Sequence, residues 1–253
     1  MKTAIAPKVH FDEEEHEYSV RRNGSREVVP GTTTITDVLS KGPALIWWSA
    51  NCARDYIMEE MEPGRAYDEL EIEELAKGAR LAHRNASDQA KSLGTLVHEW
   101  IESYINAKLN GKSEPDWPVN EDAHESIIEF LDWEESNDVE WGASEVIVYH
   151  PNVHFAGTYD ALARVNGRIT VVEFKTSSGI YPAHKLQVSA YLRAEEAYRG
   201  REIDGFSILR IPKDAEEFET YPCYDDQEIK RHFAGFKAAR RLYEWKQLED
   251  QAA

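Results

Sequence analysis

Between two runs of strand-forming residues, GTYDALARV (157–165) and RITVVEFK (168–175), the chain reads Asn166-Gly167. Asn-Gly between such runs is a strong two-residue hairpin signal, because a type I′ turn needs positive φ at both central positions. The turn fixes a register. Val165 faces Arg168, and counting back along both strands sets Asp160 opposite Glu173. Directly opposed residues hold their Cβ atoms about 4.5 to 5.5 Å apart. Lys175, two residues beyond Glu173, shares its face, while Phe174 points to the other. One face of the hairpin therefore offers two carboxylates and an ammonium.

Like charges opposed across a ladder cost stability, and one of two close carboxyls must hold its proton more tightly unless a cation lies between them. A divalent metal removes that conflict, and Mg²⁺ or Mn²⁺ prefers oxygen ligands of this kind. The competing reading is a solvent-facing strand with an ordinary salt-bridge cluster, which contributes little. Two flanking helices bear on the choice. Downstream, Gln187 and Tyr191 stand at i and i+4 in a helix expected over about 183–198, and buried polar groups there need partners. Upstream, Leu93, Val97, Ile101, Tyr104 and Ile105 mark the buried stripe of a helix expected over about 92–109, with His98 at its edge.

The remaining pattern is of alternating class. A small hairpin is expected over 16–31 around Asn23-Gly24, then a helical stretch from Thr33 to about Met61. Eight acids against Arg65 in residues 59–74 read as a solvated face, and Lys77, Arg80, Arg84 and Lys91 then reverse the sign. A helix over 121–135, strands from Ala143 onward, FSILRI, EFETYPC and a last helix over about 225–248 complete the reading. Residues 230–246 interleave six basic residues with Phe233, Phe236, Tyr243 and Trp245. This could suit single-stranded bases, although aromatics packing on the core is the favoured account. The fold class expected is α/β, a central mixed sheet of about five strands flanked by helices. One domain over 1–253 is expected, with 1–92 leading, 93–211 forming the core and 212–253 closing it.

Composition narrows the function. Lys plus Arg number 29 and Asp plus Glu 47, a net charge of −18, which excludes a generally basic nucleic-acid coat. Cys52 and Cys223 lie far apart with no knuckle spacing, so neither a disulfide framework nor a cysteine-held cluster is expected. No apolar run reaches the length of a membrane span and no secretory signal is evident, so a cytoplasmic protein of a bacterial or phage-infected cell is expected.

Taken together, GTLVHEWIE with His98, GTYD with Asp160, VVEFKTS with Glu173 and Lys175, and QVSAY with Gln187 and Tyr191 resemble the PD-(D/E)XK nuclease superfamily. Within it they are similar to the RecB-like exonuclease branch, which includes phage exonucleases and the mitochondrial genome maintenance exonuclease. The resemblance covers residues 94 to 191 and implies a restriction-endonuclease-like core and a metal-dependent DNA exonuclease acting on ends or single strands. It implies Mg²⁺ or Mn²⁺ held by His98, Asp160, Glu173 and the backbone carbonyl of Phe174. Lys175 would act on the attacking water, with Gln187 and Tyr191 supporting the site. Glu145 falls where relatives often carry an acid, and a plain strand-edge glutamate is the other reading. Lys77, Arg80, Arg84, Lys91, Thr176 and Ser177 are the candidate DNA contacts. A helicase, a recombinase or a single-strand-binding protein is the implied partner class, since no GxxxxGK[ST] motif is present. Two alternatives stay open: a non-catalytic binding or inhibitory subunit, suggested by the charge of −18, and an endonuclease or junction resolvase on the same core.

Overall fold

The computed structural model of the chain describes residues 8–22, 24–39, 43–211 and 218–252. Two compact units are present, residues 1–39 with 97–253, and residues 40–96. Strands β1 (Val9–Asp12), β2 (Glu17–Arg22) and β3 (Ser25–Val29) form an antiparallel sheet. The β2-β3 pair is the expected first hairpin; Gly24 turns it at φ 83°, and Asn23 lies outside the described residues.

Helices α1 (Thr32–Thr36), α2 (Pro43–Glu60), α3 (Glu69–Leu109) and α4 (Asp122–Glu135) follow. The helical stretch expected from Thr33 is thus two helices. The helix expected from about Ser92 begins at Glu69 instead. Its added turns are rich in Glu, Leu, Ala, Lys and Arg, good helix formers that carry the helix through Gly78. That glycine is required by packing, since a Cβ there would run into the Tyr56 side chain.

The second sheet contains β4 (Val139–His150), β5 (Phe155–Val165), β6 (Arg168–Lys175), β7 (Gly205–Arg210) and β8 (Glu219–Cys223), in that spatial order. Only β6 and β7 pair in parallel, joined by the crossover helix α5 (Pro182–Arg199). The terminal helix α6 (Asp226–Ala252) packs on α5. The protein is therefore α/β, with a five-stranded mixed sheet flanked by helices. Strand β4 starts four residues earlier than expected because a bulge between Trp141 and Ala143 absorbs Gly142 without ending the pairing.

Alternation along β6 serves two cores. Val171 joins Tyr159, Val188, Tyr191, Leu192, Phe206 and Phe236 in the cluster beneath α5 and α6. Phe174 meets Phe130 of α4 with ring centroids 5.6 Å apart. The α6 aromatics follow the packing account: Phe236 is fully buried, Phe233 and Tyr243 pack against the same core, and Trp245 stays exposed. Among the described residues no helix is long and apolar enough to cross a membrane.

Candidate active site

Asn166 at φ 49° and Gly167 at φ 80° make the turn, and the pairs run from Val165↔Arg168 to Ala161↔Val172, as counted from the sequence. There the ladder stops. Asp160 and Glu173 are not a paired couple: the Asp160 carboxylate accepts the Phe174 N–H through Oδ2 at 2.6 Å. In an uninterrupted antiparallel ladder that N–H would go to the Tyr159 carbonyl. The carboxylate takes its place.

Neighbouring β4 bends at the same level. Its pairs with β5 include Ser144↔Ala161 and Val146↔Tyr159, and between them Glu145 adopts φ 49°, the left-handed region. A non-glycine residue held there costs about 1 to 3 kcal/mol, a cost that persists where surrounding structure imposes it. Tyr159 and Leu162 also enter the same core cluster, although strict alternation would send them to opposite faces. Asp160 sits at this break. Straight strands would have opposed two carboxylates on one face, and the bend moves Asp160 into line with the ladder instead.

Glu173 is 2% exposed. Its Oε1 accepts from Lys175 Nζ at 2.7 Å, and its Oε2 is buried with no hydrogen-bond partner. Burial pushes the Glu173 carboxyl up and Asp160 adds to it, against the pull of Lys175 and His98. Asp160 is likewise pushed up, by burial first, against Lys175 and the Phe174 N–H. Burial pulls the Lys175 ammonium down, but Glu173 and Asp160 more than offset this and hold it above its ordinary value. Glu145 is pushed up to about 8 by desolvation, then by Asp160, Glu102 and Glu173. Four acids thus share one field.

Two of the contributors escaped sequence reasoning. Glu102 lies four residues after His98 and so on the same face of α3, a signal the i, i+4 rule could have supplied. Tyr18 of β2 lies 140 residues from its hydrogen-bond partner Thr158, and nothing local announces it.

The other expected residues fall as follows. His98 meets the Phe174 ring edge-on at 6.2 Å and lowers the proton affinity of Glu173. Gln187 donates through Nε2 to the Tyr191 hydroxyl at 2.7 Å and to Thr33 Oγ1 at 3.5 Å. Burial, with Glu173 next, keeps Tyr191 well above its ordinary value and hence neutral. Gly157 admits these groups: a Cβ there would run into Thr32 Oγ1 and the Tyr191 ring. Thr176 and Ser177 lie just beyond β6, partly buried, and the Ser177 hydroxyl donates to the Gly179 carbonyl at 2.9 Å. Lys77, Arg80 and Arg84 are exposed on α3 within the 40–96 unit, Lys77 being 3.2 Å from Glu73. The Lys91 side chain lies outside those described.

Among the described residues no three His, Cys, Asp or Glu side chains are gathered as a ready ligand set. The donor chemistry nonetheless fits Mg²⁺ or Mn²⁺, which one or two carboxylates can hold, with waters and substrate oxygens supplying the rest. The unpartnered, buried Glu173 Oε2 next to a second carboxylate is the atom such a cation would satisfy.

No family model matches the chain, and no curated protein matches it. Among solved structures it is similar to a candidate exonuclease from Eubacterium rectale, with 14% identity and a TM-score of 0.40. That match covers 60% of this chain and 66% of the other, just under two thirds of its length. It is also similar to the alkaline exonuclease LHK-Exo from Laribacter hongkongensis, with 15% identity over 61% of this chain and 86% of that one, at a TM-score of 0.29. The complex of LHK-Exo with dAMP matches with 14% identity over 81% and 91% of the two chains, at a TM-score of 0.31.

Proposed function

We propose that the chain is a Mg²⁺- or Mn²⁺-dependent deoxyribonuclease of the RecB-like PD-(D/E)XK type, an exonuclease hydrolysing phosphodiester bonds at DNA ends or in single strands during replication, recombination or repair. One observation carries this reading. Glu173 is a buried carboxylate whose first oxygen is held by Lys175 and whose second has no partner, with Asp160 fixed beside it by a backbone N–H. A side chain that served only stability would not be left with an orphaned charged oxygen, because that costs far more than a satisfied or apolar one.

Asp160 and Glu173 would hold the cation, joined by His98 and the Phe174 carbonyl; when bound it supplies Lewis acidity and makes a water more acidic. Lys175 carries the chain's own chemistry. Held charged by two carboxylates, it orients the attacking water and stabilises negative charge developing on the phosphate, in a setting where little water competes. Tyr191 remains protonated and accepts from Gln187 within α5, while the donation from Gln187 to Thr33 Oγ1 ties α5 to α1 beside the site. Thr176 and Ser177 would contact DNA phosphates next to the site, Lys77, Arg80, Arg84 and Lys91 are separate candidate DNA contacts on the 40–96 unit, and a helicase, recombinase or single-strand-binding protein would deliver the substrate.

End-labelled linear single-stranded and duplex DNA, beside a closed circle, should be incubated with Mg²⁺, Mn²⁺ or chelator. Shortening of linear DNA from an end, only with metal, is expected. Cleavage of the circle would make the protein an endonuclease, and no cleavage of any form with either metal would overturn the reading.

A further inference from the structure

The acid cluster faces a substrate that is itself an anion, so neutral donors beside Lys175 and the proposed cation would help to receive the phosphate oxygens. A hydroxyl pair stands beside the cluster. The Tyr18 hydroxyl and Thr158 Oγ1 lie 2.9 Å apart, joining β2 of the N-terminal sheet to β5 of the central one. Thr158 precedes Asp160 by two residues on β5, and the two are partly exposed on either side of the buried Tyr159. Both members of the pair are partly exposed to solvent. Glu145 and Glu173 both act on Tyr18 electrostatically, in keeping with its place at the cluster.

Hydrogen counting gives the pair a use. Two hydroxyls carry two hydrogens, and the bond between them consumes one. Whichever oxygen donates, the other hydroxyl keeps a hydrogen for an external acceptor. A neutral O–H on an acid-lined face suits a phosphate oxygen, since it attracts the anion without neutralising the carboxylates the metal needs. The tyrosine ring is placed independently of its hydroxyl, against Phe11 at 4.6 Å between centroids and against Gly31.

We infer that Tyr18 and Thr158 form a substrate-binding hydroxyl pair that donates a hydrogen bond to a non-bridging oxygen of the DNA phosphate at the active site. The N-terminal sheet is then part of the site. This inference rests on the nuclease reading above and assigns Tyr18 no part in holding metal.

The test is Tyr18→Phe, which keeps the ring and removes the hydroxyl, with Thr158→Val as a second variant. Each is assayed on DNA carrying one phosphorothioate of defined configuration at the scissile position, beside the all-oxygen substrate. Sulfur accepts hydrogen bonds poorly. Loss of a hydrogen bond to a charged group is expected to lower kcat/KM on all-oxygen DNA by roughly ten- to a hundredfold. For one phosphorothioate diastereomer the loss should shrink toward nothing, because the contact is already broken, and the double variant should be no worse than either single one. A merely structural hydroxyl would slow all substrates by the same factor. Wild type active with Tyr18→Phe unchanged, or equally impaired on every substrate, removes the inference and leaves the nuclease reading standing. Wild type inactive on all DNA with either metal removes both.

Discussion

At the scale of single residues, Lys175 combines two roles that a substitution separates. Lys175→Met keeps much of the stem's packing but strips Glu173 Oε1 of its 2.7 Å partner and the site of its cation. Under the proposed function, metal-dependent DNA cleavage should fall by roughly a hundred- to a thousandfold, the range for removing a group aimed at developing charge, while circular dichroism shows an unchanged fold. Gly157→Ala tests packing instead. Its methyl would meet Thr32 Oγ1 and the Tyr191 ring, so urea denaturation should show a loss of about 1 to 3 kcal/mol, typical of overpacking. Asp160, Glu173 and Lys175 were legible in the sequence because an Asn-Gly turn converts a linear count into a spatial one. The count broke down where the strands bend: pairing ends at Ala161↔Val172, and no local signal told that Asp160 would enter the line of the ladder. Tyr18 was invisible for a different reason, since the contact that places it is a tertiary one.

Elements were legible where a local rule specified them and less so where tertiary packing overrode it. The β5-β6 hairpin and the Gln187/Tyr191 helix stand close to where turn chemistry and period placed them. The expected start of α3 at about Ser92 follows the apolar stripe from Leu93, whereas the helix begins at Glu69 among good helix formers that leave no such stripe. The end of β4 offers a pH test. His150 is 8% exposed, its ring 5.5 Å from both Phe155 and Phe233, and its Nδ1 accepts the Val153 N–H at 3.3 Å. Burial first, with Lys237 adding, lowers its proton affinity below the ordinary 6.5. The unfolded chain therefore binds the proton more readily than the folded one. The contribution of His150 to stability is whole above pH 6.5 and is lost as pH falls from there through the depressed folded value. Thermal melts at pH 7.5 and 5.5 should show a smaller acid-side drop for His150→Phe than for wild type; equal drops would deny His150 this role.

The whole molecule carries a net −18, and a large net charge of one sign repels itself. Sodium chloride at 0.5 M shortens the Debye length to under ~10 Å, so the melting temperature of the metal-free protein should rise by a few degrees, on the order expected for screening of self-repulsion. A flat or falling response would mean that local ion pairs, not net charge, dominate. The discontinuity of the larger unit has a consequence for how the protein is made. Thr32 donates to the Ala156 carbonyl, Tyr18 joins Thr158, and Gln187 donates to Thr33, contacts separated by 124, 140 and 154 residues. A ribosome translating from the amino end releases β1 to β3 long before any of those partners exists. The first sheet must therefore wait, unanchored, through most of synthesis. The candidate site is complete only after α5 has emerged, so a chain cut short before that helix would carry most of the protein's mass and lack Gln187 and Tyr191.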